Sequence, residues 1–157
     1  MEMPRPKSEH AKLAALAGDW AGDETLLPSK WGPGGKARGR ISARQAINDF
    51  YVLWNYEEEK DGRVVFKGHG VFAWDDERKD YAFYWFDSMG FLPDSASRGR
   101  WVDDGFVFLR VTPRGHVRHT FRFEGEDVFH LTIENSFDEG QTFQAFMSGS
   151  YTRVPYD

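Results

Sequence analysis

His69 and His119 are the residues best suited to acid–base chemistry, because an unperturbed imidazole titrates near neutrality. His119 lies two residues before Phe121, and His69 lies between Phe66 and Phe72, so a strand reading sets both among rings. Arg110 follows Phe106 and Phe108 at the same two-residue spacing. Its planar guanidinium matches the geometry of a carboxylate. Asn135 adds an amide on the strand before the last. With Trp54, Trp101, Phe106, Phe108 and Phe143 as walls, these four polar groups form the expected ligand-binding set: an aromatic cavity with a few convergent polar groups. His69 and His119 are the candidate catalytic bases.

Other constellations are set aside on geometry. His116 and His119 are three apart, and on a strand they point to opposite faces, so they cannot chelate one metal ion. His116 is expected on the outer face opposite Glu134. Ser88, His69 and Asp87 make a triad on paper, but neighbouring Asp and Ser face apart and no nucleophile elbow surrounds the serine. The glycine-rich run at 31–35 does not open a helix and so lacks the context of a phosphate loop. With no cysteine in the chain, thiolate catalysis, disulfides and Cys-ligated zinc are excluded. No cofactor is implied and no metal site is expected.

These side chains need strands to carry them. Turn signals recur at Asn48-Asp49, Asp61-Gly62, Asp75-Asp76, Pro93-Asp94, Asp104-Gly105, Pro113 to Gly115, Glu124-Gly125, Glu139-Gly140 and the 31–35 run. Nine turns imply about ten strands, with no helical stretch long enough for a parallel crossover, so the fold class is an all-β antiparallel up-and-down barrel. A three-residue loop after Glu124 places Phe121 opposite Phe129 and His119 opposite Leu131. The same treatment of the loop at 138–140 places Asn135 opposite Phe143 and Leu131 opposite Met147. A two-residue turn at Asp61-Gly62 places Trp54 opposite His69 and Val52 opposite Val71. A connection spanning Thr112 to Gly115, with a tight turn at Asp104-Gly105, adds Trp101, Phe106, Phe108 and Arg110 to the inner face. Ahead of the strands, Ser8 is expected to cap a helix that stops at Gly18. Trp20, flanked by Gly18 and Gly22, is expected to plug one end of the roll. The chain of 157 residues thus reads as one barrel domain: an arm at 1–7, a helix at 8–17 and the barrel at 18–153.

Twenty Lys and Arg stand against 25 Asp and Glu, a net charge of −5, which argues against a nucleic-acid partner. No apolar run approaches a membrane span and the N-terminus lacks a signal peptide, so a soluble cytoplasmic protein without a membrane partner is expected. The segment Asp80 to Ser88 is aromatic on both strand faces. One face must therefore be covered, and a homodimer through this strand is the expected cover, with the loop Phe91 to Ser97 or the arm Met1 to Lys7 folded over that face as the alternative.

The Leu16-Ala17-Gly18-Asp19-Trp20-Ala21-Gly22 stretch resembles the Gly-x-Trp opening of the calycins, which include lipocalins, fatty-acid-binding proteins and nitrobindins. Pro6 to His10, Gly68 to Val71, Tyr84 to Gly90, Pro113 to His116 and Glu134 to Ser136 resemble a bacterial family catalogued only as a domain of unknown function. The resemblance spans Pro4 to Arg153. It implies a closed barrel of about ten strands with a helix near one end, and no settled activity. Nitrobindins bind haem through a late histidine, but Gln141 to Arg153 contains none. The reading is therefore a binder of a small, largely apolar or aromatic molecule inside a barrel. The alternatives are an acid–base enzyme such as an isomerase, cyclase or dehydratase, a haem-binding nitrobindin-like protein, and a plugged barrel that acts as an interaction module.

Overall fold

Each segment in which large apolar residues alternate with polar ones forms a strand, because that period matches the pleat. The structure is a computed structural model and describes residues 1–30 and 32–155; Trp31, part of one turn signal, lies outside the described residues. The strands are β1 (Gly18–Leu26), β2 (Gly35–Ala46), β3 (Tyr51–Lys60), β4 (Arg63–Asp75) and β5 (Asp80–Asp87). They continue with β6 (Ser97–Trp101), β7 (Gly105–Thr112), β8 (Gly115–Glu124), β9 (Val128–Ser136) and β10 (Gln144–Arg153). Every neighbour is antiparallel, and β1 closes the barrel by pairing with both β2 and β10. The expected ten-stranded antiparallel barrel is the observed one.

Register decides which side chains face inward. Val111 pairs with His116 and Trp101 with Phe106, so Trp101, Phe106, Phe108 and Arg110 share the inner face as expected. Across β8 and β9 the pairing is Phe121 with Leu131 and His119 with Ile133. It sits two residues from the expected register, which leaves the inward faces unchanged. Two bulges do invert faces. The Asp61-Gly62 turn is tight, with Lys60 opposite Arg63, but a bulge between Glu58 and Glu59 shifts the rest by one residue. Trp54 therefore pairs with Gly70, Val52 pairs with Phe72, and His69 lies opposite Asn55 on the outside. A second bulge, between Ala145 and Met147, places Asn135 opposite Gln144 and takes Phe143 out of the ladder.

One end is closed by the N-terminal segment. The expected helix at 8–17 is a single α-turn, α1 (Ser8–Lys12), followed by a 3-10 turn at Leu13–Leu16. Lys7, not Ser8, holds the cap position, and its N–H donates to His10 Nδ1 at 2.9 Å. Leu13 and Leu16 are buried, and Tyr81 Oη donates to the Glu9 carbonyl at 2.6 Å. So short a segment is held by these tertiary contacts rather than by its own propensity. Beneath it Trp20 is 1% exposed. Its Nε1–H donates to the Leu16 carbonyl at 3.1 Å, its ring meets Phe129 edge-on at 4.8 Å, and the Arg153 guanidinium lies over it at 4.2 Å.

The opposite end, where the odd-numbered strands finish, is looser. The β5–β6 pairing covers only Tyr81 to Phe83, so Tyr84 to Asp87 have no partner on β6. The connection from Ser88 to Ala96 crosses this gap. On the outer wall of β5, Tyr84 and Phe86 are 42% and 44% exposed, while Ala82 is buried.

The closed end should carry much of the stability. Trp20→Ala is expected to cost about 3–5 kcal/mol by urea unfolding, as for other buried large-to-small changes. A loss below about 1 kcal/mol would show that the plug is dispensable.

Candidate functional site

The barrel interior divides into three layers. At the closed end Trp101 packs edge-on against Phe106 at 4.8 Å and parallel to Phe123 at 6.0 Å. In the middle, Trp54, Phe72, Phe108, Phe121 and Phe129 form a continuous ring cluster, with Phe72 stacked on Phe83 at 4.4 Å. Toward the open end the rings thin out and polar groups begin.

Phe83 and Trp85 form the floor of that open end. Alternation on β5 brings both inward, and they fit because β4 presents glycine beneath them. A Cβ on Gly68 would come within 2.1 Å of the Trp85 ring, and one on Gly70 within 2.8 Å of Phe83. Trp85 Nε1–H donates to Asp87 Oδ2 at 2.8 Å, which fixes the indole. Trp85 touches Tyr56 at 6.1 Å between ring centroids, and Phe83 touches His119 at 5.5 Å. The floor thus runs between two polar stations.

The first station holds Arg110 and His119 on adjacent strands. Phe108 pairs with His119 and Arg110 follows two residues on, while Asn135 reaches the same end from β9. Arg110 Nη2 donates to Asp94 Oδ1 at 3.2 Å. Arg110 Nε and His119 Nδ1 are buried with no hydrogen-bond partner. Burial, and then the neighbouring Arg110 charge, push the His119 pKa down to about 4, so the imidazole is neutral at pH 7.

The second station lies where β1, β3 and β10 meet, and sequence reasoning missed it. Glu24 is fully buried. The Tyr56 hydroxyl is 2.7 Å from both Glu24 oxygens and 3.0 Å from Glu58 Oε2, and the Tyr151 hydroxyl donates to Glu24 Oε2. Gly39 and Gly149 make room, since a Cβ on either would crowd Tyr151 to within 2.9 and 2.6 Å. The Tyr56 hydroxyl has one proton and can donate to one carboxyl. Its contact with the other carboxyl is a hydrogen bond only if that group is protonated and donates back. Burial pushes the Glu24 pKa up to about 7; the tyrosine hydrogen bonds oppose this and the Glu58 charge reinforces it. A signal existed: Tyr56 and Glu58 share the inward parity of Trp54, and Glu24 that of Trp20.

The expected site residues therefore separate. Arg110, His119 and Asn135 gather at the open end. Trp54 and Phe108 belong to the packed middle, and Trp101 and Phe106 to the closed end. His69 is a correction: it bonds Asn55 Oδ1 at 2.8 Å on the outer wall, because of the β3–β4 bulge. Phe143 is another, since it lies beneath the Arg118 guanidinium, 3.9 Å away, just ahead of the second bulge. Arg118, not His116, pairs with Glu134, through two bonds of 3.0 Å. Two clefts of about 680 and 610 Å³ lie outside the barrel at the closed end, along Arg44 and Arg153 and along Ala14 and Phe123. Neither meets the unpartnered atoms. No group of three or more metal-ligating side chains occurs among the described residues, and no helix there is long and apolar enough to cross a membrane.

Known proteins place this chain by fold and family. A family model described as a protein of unknown function, DUF1579, matches residues 5–153. The structure resembles Rv2717c from M. tuberculosis, with a TM-score of 0.70 at 12% identity over 97% of this chain and 100% of that one. It also resembles the S-type phycobiliprotein lyase CPES from Guillardia theta, with a TM-score of 0.66 at 12% identity over the same shares. These likenesses are of fold. None of the curated proteins matches the chain.

His119 and Glu24 make opposite contributions to stability. Glu24 has a raised folded pKa, so the native state holds its proton longer and stability falls as pH rises from about 4.5 to 7. His119 has a lowered folded pKa, so the unfolded state takes up its proton first and stability falls as pH drops from about 6.5 to 4. Relative to the wild type, Glu24→Gln should tilt the melting temperature so that it rises with pH across this window, and His119→Gln should tilt it so that it falls. Parallel pH profiles for all three proteins would contradict both assignments.

Proposed function

The chain belongs to the DUF1579 family, and from that premise we propose that it binds a small, largely aromatic molecule at the open end of its barrel. Arg110, His119 and Asn135 orient the molecule, and Phe83 and Trp85 form the floor beneath it. The observation that carries this reading is the pair of unpartnered buried polar atoms, Arg110 Nε and His119 Nδ1, beside that aromatic floor. Buried donors and acceptors normally have partners, and leaving one without costs about 1–3 kcal/mol. A ligand's polar group would supply the missing partner. The lyase among the structural neighbours has the same barrel architecture, which is compatible with a ligand in this position.

A second reading is acid–base chemistry on the bound molecule. It draws on the Glu58–Tyr56–Glu24 chain rather than on histidines, because His69 is outside the barrel and His119 is a weak base. The hydrogen-bond count at Tyr56, which requires a protonated carboxyl, favours it.

Trp85 in the floor makes binding visible by intrinsic fluorescence. Titration with fatty acids, retinoids and aromatic acids should give saturable quenching by an aromatic acid. Calorimetric titration, which does not need the Trp85 reporter, should show affinity weakened about tenfold or more in Trp85→Ala, in line with the loss of an aromatic contact from a pocket. No change of emission across the panel would instead favour the plugged barrel with an outer-surface role.

A further inference from the structure

We propose that the open end is a carboxylate site held shut by the protein's own Asp94, and that an aromatic carboxylate enters by displacing that side chain. The proposal rests on the binding reading above and adds the ligand's charged group and the route by which it arrives.

Three observations converge. First, Arg110 is only partly satisfied. Its Nη2 meets Asp94 while Nε, on the same edge of the guanidinium, is buried without a partner. A carboxylate lying side-on to Nε and Nη2 makes two parallel bonds, the geometry guanidinium favours. Asp94 makes only one of them.

Second, Asp94 is an easily displaced partner. Its side chain is 71% exposed while that of Arg110 is 22% exposed. An ion pair with one partner so exposed contributes little. Asp94 has somewhere to go, because leaving Arg110 returns its carboxylate to water.

Third, Asp94 sits on the segment that spans the weak seam. Tyr84 to Asp87 have no β6 partner, and the connection carrying Asp94 leads from the end of β5 to β6 at that open end. Breaking the Asp94–Arg110 contact releases the connection from β7, leaving Phe91 under the Arg114 guanidinium as its other tie, and opens the way to the Phe83–Trp85 floor. No large cavity is needed beforehand, because the displaced Asp94 side chain itself makes room on Arg110. His119, unpartnered at Nδ1, then meets the second oxygen as a neutral hydrogen-bond donor. Asp94 thereby selects for ligands that carry a carboxylate, since a neutral molecule cannot replace it on Arg110.

The test compares 2-naphthoate with naphthalene-2-methanol, which share the aromatic body and differ in charge, by fluorescence titration of the intact protein. Asp94→Asn is a surface change that removes the internal competitor. It should tighten 2-naphthoate about two- to fivefold, and the alcohol as well, because the contact that closes the floor is gone for both. Arg110→Gln should weaken 2-naphthoate about tenfold or more without weakening the alcohol. If Arg110→Gln unfolds, Arg110→Lys, which keeps the charge but loses the fork, should still weaken 2-naphthoate selectively. Equal losses of acid and alcohol in the Arg110 variants, or no tightening of 2-naphthoate in Asp94→Asn, would overturn the carboxylate site while leaving the aromatic binding site standing. Binding of neither probe to any of these proteins would overturn the binding reading itself, and the carboxylate site with it.

Discussion

A closed sheet of ten strands has to fill its own interior, and this chain fills it with rings laid over glycines. Trp85 lies over Gly68, Phe83 over Gly70, Phe108 over Gly99, and Tyr151 between Gly39 and Gly149. The glycines remove a Cβ where a ring must pass, so each ring lies close against backbone. Other positions depend on this. The stacked Phe72–Phe83 pair exists because Phe83 can lie down over Gly70. The Glu24 carboxyl reaches two phenols because Tyr151 is given room by glycines on both sides. A β-branched residue at Gly68 would displace Trp85 and take the aromatic floor with it.

The same constraint separates the two ends. At the closed end, Trp20, Leu13, Leu16 and Tyr81 tie the N-terminal turns to the sheet with two hydrogen bonds and dense apolar contact. At the open end the β5–β6 pairing stops early, and polar groups take over from rings. Those groups lie on two walls with an aromatic floor between: a cationic wall on β7 and β8, and a carboxyl–phenol wall on β1, β3 and β10. Burial moves their pKa values in opposite directions to the same end. It drives His119 toward its neutral form by disfavouring charge, and it drives Glu24 toward its neutral form for the same reason. Arg110 keeps a cation at that end, paired with Asp94. That suits an apolar guest with one anionic group.

Much of this was legible in the chain itself. Turn residues counted the strands, because Gly and Asp sit where φ turns positive, as at Asp61, Gly62, Gly125 and Gly140. Alternation put Arg110, His119 and Asn135 on the inner face, since the 112–115 and 124–128 connections keep the period of two intact. It failed where a bulge adds a residue. The bulge at Glu58 sent His69 outward, and the one at Ala145 sent Phe143 outward; neither has a glycine or proline marking it in the sequence. The Glu24–Tyr56–Tyr151 cluster stayed hidden for a different reason. A carboxylate on an alternating strand reads as solvent-facing, and only three-dimensional closure brings β10 to β1 and supplies the phenols that make burial tolerable.

The central claim is that the guest sits at the open end, over Trp85. The indole N–H resonances report position directly in a proton–nitrogen correlation spectrum, with one signal for each of the six tryptophans. On addition of 2-naphthoate the Trp85 signal should move in step with occupancy, because its N–H is tied to Asp87 at the floor's edge. Those of Trp20 and Trp101, at the closed end, should stay in place. Shifts confined to Trp20 and Trp101, with Trp85 unmoved, would contradict the account.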